Sequence, residues 1–174
     1  VTTSDAGAGV GYTGIRVRGS DATRVNVTIN GIAYNDAESH GTFWVNLSDF
    51  ASSVEDLQVQ RGVGTSTNGA AAFGASVNVS TDNASEHAYA QFASSVGSFN
   101  TLKNTIKFST GISDSGFEFS GRLSNITSDG YIDRASSNLK GYFLQGTYTS
   151  ENTKLKALTS VSYTHLRAHE THND

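Results

Sequence analysis

Long segments in which apolar and polar residues alternate occupy the second half of this 174-residue chain, and they strongly limit its possible folds. In the clearest segment Leu102, Ile106 and Phe108 share one face, while Lys103 and Thr105 lie on the other. Residues 117–124, 142–149 and 154–162 alternate in the same way. A period of two predicts β-strands. Each segment has roughly the 9 to 11 residues that a tilted strand needs to cross a membrane.

Composition fits strands with small, neutral side chains. Only 16% of residues are charged, against about 25% in an average protein, and Ser, Thr, Asn and 18 Gly make up the difference. The net charge of −4, with scattered Lys and Arg, argues against a nucleic-acid partner. Without cysteine the chain has no disulfide, thiolate metal site or thiol nucleophile. The chain contains no run of 18 apolar residues, so no transmembrane helix is predicted.

The first half has a different texture, with short strands separated by glycines and polar turns. Residues 15–18, 25–29, 57–60 and 76–79 are each predicted to form a strand of a few residues. Asn30-Gly31 is a strong hairpin signal. Ser48 and Asp49 are placed to cap one helical turn that leads into Val54. This half is therefore predicted to be a small α+β region.

Alternation alone leaves two architectures open for the second half. Short turns at 113–116 and 150–152, with a longer polar connection between 124 and 139, are typical of membrane barrels, whose short turns face the periplasm. A soluble antiparallel sandwich with one face in water gives the same alternation. The patterning does not decide between them.

The motifs at residues 15–19, 24–32, 54–62 and 68–79 together resemble the plug domain of TonB-dependent receptors. Residues 15–19 (Ile-Arg-Val-Arg-Gly) resemble that family's Ile-Arg-Gly element, and residues 24–32 resemble its Arg-Val-x-Val-x-x-Asp-Gly strand and turn, with Asn30 in place of Asp. Residues 54–62 resemble its acidic strand that ends in Arg-Gly, and residues 68–79 its closing segment. The resemblance implies a mostly β fold, in which a small α+β plug domain is followed by the first antiparallel strands of a transmembrane β-barrel.

The resemblance also implies domain limits and a function. We expect the C-terminal portion of a plug domain in residues 1–82 and N-terminal barrel strands in 83–161, as a fragment of a longer protein in the cell outer membrane. Ligand-gated, energy-coupled uptake of a siderophore, cobalamin or glycan is implied, with no catalytic residue and no cofactor. TonB is the implied partner of the full-length protein and binds by strand addition; its N-terminal box is expected to be absent here. The other implied partner is outer-membrane lipid.

Two sets of residues are candidates for functional contacts. A loop on a rigid scaffold commonly carries binding groups, and the loop between the second and third predicted strands is rich in polar and aromatic residues. The predicted ligand-binding residues are Tyr34, Asn35, Asp36, Glu38, His40, Phe43 and Trp44. Alternatively, the last two only anchor the loop. The family also implies that plug arginines face barrel carboxylates, which predicts plug–barrel contacts for Arg16, Arg18 and Arg61; alternatively, these are surface arginines.

Three further patterns give no site. Residues 9–14 match G-x-G-x-x-G, but a strand and not a helix is predicted to follow, so dinucleotide binding is not expected. His169 and His172 lack the spacing that places two ligands on one helical face, so no metal site is predicted. The run from residue 162 resembles peptides translated from sequencing-adapter DNA. We therefore expect 162–174 to be a non-native or disordered tail.

A rival function remains from another class. A surface or secreted β-rich adhesin or glycan-binding module would use Tyr34, Phe43 and Trp44 as a sugar-stacking platform. Such a module would be soluble in water, whereas barrel strands need a membrane.

Overall fold

The computed structural model describes residues 2–4, 13–63, 72–131 and 135–167. Within these ranges no helix is long and apolar enough to cross a membrane. The helical elements described are short 3-10 turns at Ala22–Arg24, Trp44–Leu47 and Phe50–Ser53. The strands described, in chain order, are β1 (Thr2–Ser4), β2 (Thr13–Ile15), β3 (Val25–Ile29), β4 (Ile32–Ala33), β5 (Val54–Arg61), β6 (Ala75–Thr81), β7 (Tyr89–Gly97), β8 (Thr101–Ser109), β9 (Phe117–Ser128), β10 (Ser136–Thr149) and β11 (Lys154–Arg167).

The chain divides into two compact units. The first contains the described residues of 2–44 and 51–83, with the sheets β1-β2 and β4-β3-β6-β5. The second contains the described residues from 84 onward, with the antiparallel sheet β7 to β11, and also takes in the short segment Val45–Phe50. The change of texture seen in the sequence near residue 83 therefore coincides with a change of unit.

Two parallel strands form the centre of the first unit. β3 pairs with β6 from Val25↔Ala75 to Ile29↔Val79, and every residue of β3 is buried. Parallel strands buried on both faces favour β-branched apolar residues, and Val27 and Val77 supply them. The polar side chains also form bonds: the Thr28 hydroxyl donates to the Asn78 Oδ1 at 2.8 Å. This sheet supports the candidate loop, which begins after β4.

Two tight turns shape the same unit. Asn30 and Gly31 have φ of 51° and 80° between β3 and β4, the type I′ geometry that the Asn-Gly pair predicts. The hairpin prediction is confirmed. The prediction of a strand over 15–18 is wrong beyond Ile15, because β2 ends there and Arg18 lies in a turn at φ 51°, bridged by Val17↔Ser20.

The second unit is a meander in which each strand pairs with the next along the chain. One apolar row crosses all five strands through the pairs Phe92↔Ile106, Ile106↔Leu123, Leu123↔Tyr142 and Tyr142↔Val161. The alternation predicted from the sequence is thus realised as a sheet with one apolar face and one polar face.

Burial on this sheet is the reverse of that in a soluble protein. The apolar row is exposed, with Phe92 at 66% and Leu123 at 49%, whereas Arg122 and Gln145 on the polar face are 1% and 0% exposed. A soluble sandwich would bury its apolar face and expose its polar one. An apolar outer face with a polar interior is the arrangement of a membrane barrel. The structure therefore favours barrel strands over the soluble sandwich.

The strands are longer than the sequence predicted. β9 ends at Ser128 and β10 begins at Ser136, which shortens the long polar connection expected between 124 and 139. β11 continues to Arg167 and pairs with the start of β10, with Arg167 opposite Ser136. Residues 162–167 thus form part of a strand, unlike the disordered tail expected from 162; residues 168–174 lie outside the described ranges. A non-native origin for 162–174 stays a prediction.

Candidate functional site

The candidate loop after β4 is held in place by Asn35. Its side-chain Oδ1 accepts from the Val27 amide at 2.7 Å, and its Nδ2 donates to the carbonyls of Val25 and His40, both at 2.9 Å. One amide therefore ties the loop to β3 and to its own far end. Both the oxygen and the nitrogen of the Asn35 side-chain amide are therefore used in supporting the loop.

Asp36 forms the tight turn within the loop. Its Oδ1 accepts from the amides of Glu38 and Ser39 at 3.1 and 2.7 Å and from the Ser39 hydroxyl at 2.9 Å. The bonds from Ser39 hold the pKa of the Asp36 carboxyl below its usual value of 3.8. The His40 amide closes the turn on the Asp36 carbonyl at 3.0 Å. Asp36 is ionised at neutral pH and shapes the turn that presents its neighbours.

The remaining loop residues differ in how much they present to solvent. Glu38, His40 and Phe43 are exposed, Phe43 at 51%. Tyr34 and Trp44 are partly buried, and burial raises the pKa of the Tyr34 phenol above its usual value of 10.0. A carboxylate, an imidazole and an aromatic ring thus stand on a turn fixed by Asn35 and Asp36. Their role as ligand contacts stays a prediction.

The three arginines named from the sequence lie in separate parts of the first unit. Arg16 follows β2, and its guanidinium lies 4.0 Å from the Asp21 carboxylate, with both side chains more than half exposed. Arg18 is exposed in its turn, and Arg61 is exposed at the end of β5. The structure therefore does not bring them together, and contacts of these arginines with a barrel carboxylate stay a prediction.

A buried charge cluster that the sequence did not reveal lies in the second unit. The Asp49 carboxylate, only 2% exposed, accepts from Lys103 Nζ at 2.5 Å and from the Thr105 hydroxyl at 3.1 Å. It also lies 4.0 Å from Nη1 of Arg122, whose side chain is 1% exposed. Buried charges are stable only when paired and hydrogen-bonded. Two cations and a hydroxyl from β8 and β9 meet this requirement.

The residues on either side of Asp49 add neutral contacts to the same sheet. The Ser48 carbonyl accepts from Arg122 Nη2 at 3.4 Å, and the Ser48 hydroxyl is hydrogen-bonded to the Ser162 hydroxyl on β11. The Phe50 ring meets the Phe143 ring of β10 edge to face, with centroids 5.9 Å apart. Residues 48–50 therefore contact four consecutive strands.

The sequence predicts Asp49 as part of a helix cap, and a 3-10 turn does follow at Phe50–Ser53. The alternation of the sequence also predicts Lys103 and Arg122 on the polar face of their strands, and the pairing of β8 with β9 confirms this. The missed signal was the presence of Lys103, Lys107 and Arg122 on a face rich in Ser and Thr. Such cations require a carboxylate nearby, but their partner lies more than 50 positions away in the chain, so spacing does not identify it.

A groove of about 680 Å³ opens on the apolar face of the second unit. Gly146 and Ala157 lie between bulkier neighbours there. The rings of Phe117 and Tyr148, with centroids 4.7 Å apart and planes inclined by 40°, lie at one end. The groove belongs to the face that suits lipid, so it is not a candidate for an aqueous ligand. Aromatic residues near strand ends are typical of the interfacial girdles of membrane barrels.

Comparison with protein families gives one match, to the TonB-dependent receptor plug domain, over residues 1–76. The matched range contains the candidate loop, Asp49 and the strands β1 to β5. No curated protein matches the chain. The match supports the resemblance found from the motifs.

Solved structures give a second, independent comparison. The ferripyoverdine receptor of the outer membrane of Pseudomonas aeruginosa is 13% identical with a TM-score of 0.69 and covers 86% of this chain. The ferric yersiniabactin uptake receptor of Yersinia pestis is 14% identical, with a TM-score of 0.68 over 88% of the chain. The alcaligin outer-membrane receptor of Bordetella pertussis is 18% identical, with a TM-score of 0.64 over 89%.

The matched region is only part of each of these proteins. This chain spans between 20% and 26% of their length. Because the identities are so low, the structural likeness establishes only the fold. The relationship to the plug domain comes from the family match, which covers residues 1–76. Residues 1–76 therefore match the TonB-dependent receptor plug domain in sequence, and the chain has the fold of the corresponding part of these outer-membrane receptors.

Proposed function

We propose that the receptor containing this chain takes up a siderophore-type metal chelate across the outer membrane by a ligand-gated, TonB-energised mechanism. The proposal rests on one observation. Plug sequence over residues 1–76 is followed in the same chain by a sheet that exposes its apolar face. A plug joined to membrane strands serves a receptor and not an enzyme. The outer membrane is the proposed location, with lipid against the apolar face.

The cargo class is supported by the similar structures. These structures are receptors for ferripyoverdine, ferric yersiniabactin and alcaligin. The candidate loop offers groups that suit such a cargo: Glu38 and His40 as hydrogen-bonding partners and Phe43 as an aromatic surface. A polar chelate with amide or hydroxyl groups and an aromatic ring would use all three. Cobalamin and glycan are the competing cargoes, and the uptake experiment below includes both.

The rival adhesin or glycan-binding module would need the second unit to be soluble in water. Its row of Phe92, Ile106, Leu123, Tyr142 and Val161 is exposed instead. Contiguous apolar surface of this kind marks a membrane or protein contact. We therefore favour the receptor over the adhesin.

Uptake by cells tests the proposal. A strain lacking its own receptors would express the full-length receptor and be supplied in turn with radiolabelled ferric siderophore, cobalamin or an oligosaccharide. We expect uptake of ferric siderophore that disappears when TonB is deleted. Uptake of cobalamin or glycan alone would contradict the cargo class, and TonB-independent uptake would contradict the mechanism.

The candidate loop is tested by binding to the same receptor in detergent. Phe43→Ala should weaken binding of the chelate about two- to tenfold, because a stacked aromatic contact contributes about 0.5–1.5 kcal/mol. Ile32→Ala, an exposed apolar position on β4 outside the loop, is the control. Equal affinities for the two variants would remove Phe43 from the binding site.

A further inference from the structure

One short segment of the plug sequence belongs to the barrel unit. The chain enters that unit at Val45 and leaves it after Phe50, while the described residues before and after belong to the first unit. We call Val45–Phe50 the wall segment. It contacts Thr105 on β8, Arg122 on β9, Phe143 on β10 and Ser162 on β11.

We propose that Asp49 is a positioning residue that keeps the wall segment on β8–β11 throughout the transport cycle, so that rearrangement of the plug is confined to the residues on either side of it. The inference rests on the proposed function, because it concerns the gating step of that same receptor. It divides the plug sequence into a stationary segment and two parts that are free to rearrange.

Asp49 is the strongest point of attachment because its contacts are both charged and buried. Charge-assisted hydrogen bonds are about twice as strong as neutral ones. The carboxylate at 2% exposure and the Arg122 side chain at 1% exposure are shielded from competing water and salt. The contacts of Ser48 and Phe50 by comparison are a hydroxyl pair and one ring contact.

The backbone of Asp49 helps to aim this carboxylate. Its φ of 54° lies in the left-handed region, which Asp and Asn tolerate better than most residues. Asn therefore preserves the backbone conformation and the side-chain shape and removes only the charge. This makes Asp49→Asn a clean test of the attachment, because it changes the charge and keeps the backbone conformation.

Accessibility of the wall segment gives a readout that does not depend on the cargo. A Ser48→Cys probe would be introduced into the full-length receptor and treated in cells with a membrane-impermeant maleimide. Labelling of the receptor with Asp49 in place should be slow. It should be about tenfold faster with Asp49→Asn, as expected for losing roughly 1.4 kcal/mol of attachment. Asp56→Asn, an exposed carboxylate on β5, is the control. Unchanged labelling in Asp49→Asn would overturn the positioning role.

A reversible cross-link tests whether the segment stays on the wall during transport. A Cβ added at Gly141 on β10 would lie 3.5 Å from the Ser48 carbonyl oxygen, which brings a cysteine there close to one at residue 48; the Cβ atoms of a disulfide lie about 3.5–4.5 Å apart. The Ser48→Cys, Gly141→Cys receptor should take up ferric siderophore equally well oxidised and reduced. Loss of uptake on oxidation that reduction restores would overturn the proposal. Failure of the unmodified receptor to take up the siderophore would instead contradict the proposed function, and the labelling experiment would still judge Asp49.

Discussion

A lysine placed at the centre of the apolar face should destabilise the receptor strongly if that face meets lipid. Leu144 lies on β10 between Tyr142 and Tyr148, about 7 Å from the first and about 14 Å from the second at a strand rise of about 3.4 Å per residue. It is therefore well inside the apolar band. Lysine at the bilayer midplane costs about 2–4 kcal/mol, so Leu144→Lys should lower the free energy of unfolding by that amount.

Two further variants separate depth from packing. Leu144→Ala measures the loss of the leucine's own contacts, and Asn138→Lys places the same charge on the same face of β10 but about 20 Å further along the strand. Asn138→Lys should cost about 0–1 kcal/mol. Unfolding by guanidinium in lipid vesicles gives all three free energies. A Leu144→Lys cost no larger than that of Leu144→Ala would refute the lipid-facing assignment, because lysine on a water-exposed strand costs about 0.5 kcal/mol or less.

Three smaller predictions concern the loop and the wall segment. The depressed pKa of Asp36 adds stability to its turn above pH 3.8, which is lost as the pH falls through the lower folded value; carboxyl NMR of the receptor should show this pKa, and Ser39→Ala should raise it. Asn35→Ala removes three hydrogen bonds, so proteolysis within the loop should accelerate at a cost of about 1–3 kcal/mol, and an unchanged rate would contradict its supporting role. A double-mutant cycle of Phe50→Ala and Phe143→Ala should give a coupling energy of about 0.5–1.5 kcal/mol by denaturant unfolding, and additive losses would show no contact.

Local features of the fold were accessible from the sequence because they depend on neighbouring residues. The Asn30-Gly31 turn follows from the φ values those two residues tolerate, and the alternation around Ile106 and Leu123 follows from the period of a strand. The parallel pairing of β3 with β6 was not accessible. It joins residues 50 positions apart, such as Val27 and Val77, and no local pattern specifies which strand pairs with which.

The candidate site shows the same division. The loop after β4 was found from its composition, yet two of its seven predicted ligand residues, Asn35 and Asp36, bond within the loop and to β3. The Asp36-x-x-Ser39 spacing carries a signal for this, because Asp side chains often accept from amides two and three residues ahead. Asp49 carried no such signal, since its partners Lys103 and Thr105 lie on a distant strand.

The polar face of the second unit has the chemistry of a surface that can change partners. Its buried residues are largely small hydroxyls, including Thr105, Ser124 and Thr147. Exchanging a protein hydrogen bond for one to water changes the free energy by only about 0.5–1.5 kcal/mol. A comparable apolar interface would resist separation by about 25 cal/mol for every Å² exposed. A hydroxyl-rich face with one strongly held point at Asp49 therefore combines a fixed attachment with a surface that water can enter at low cost, which suits the gating proposed above.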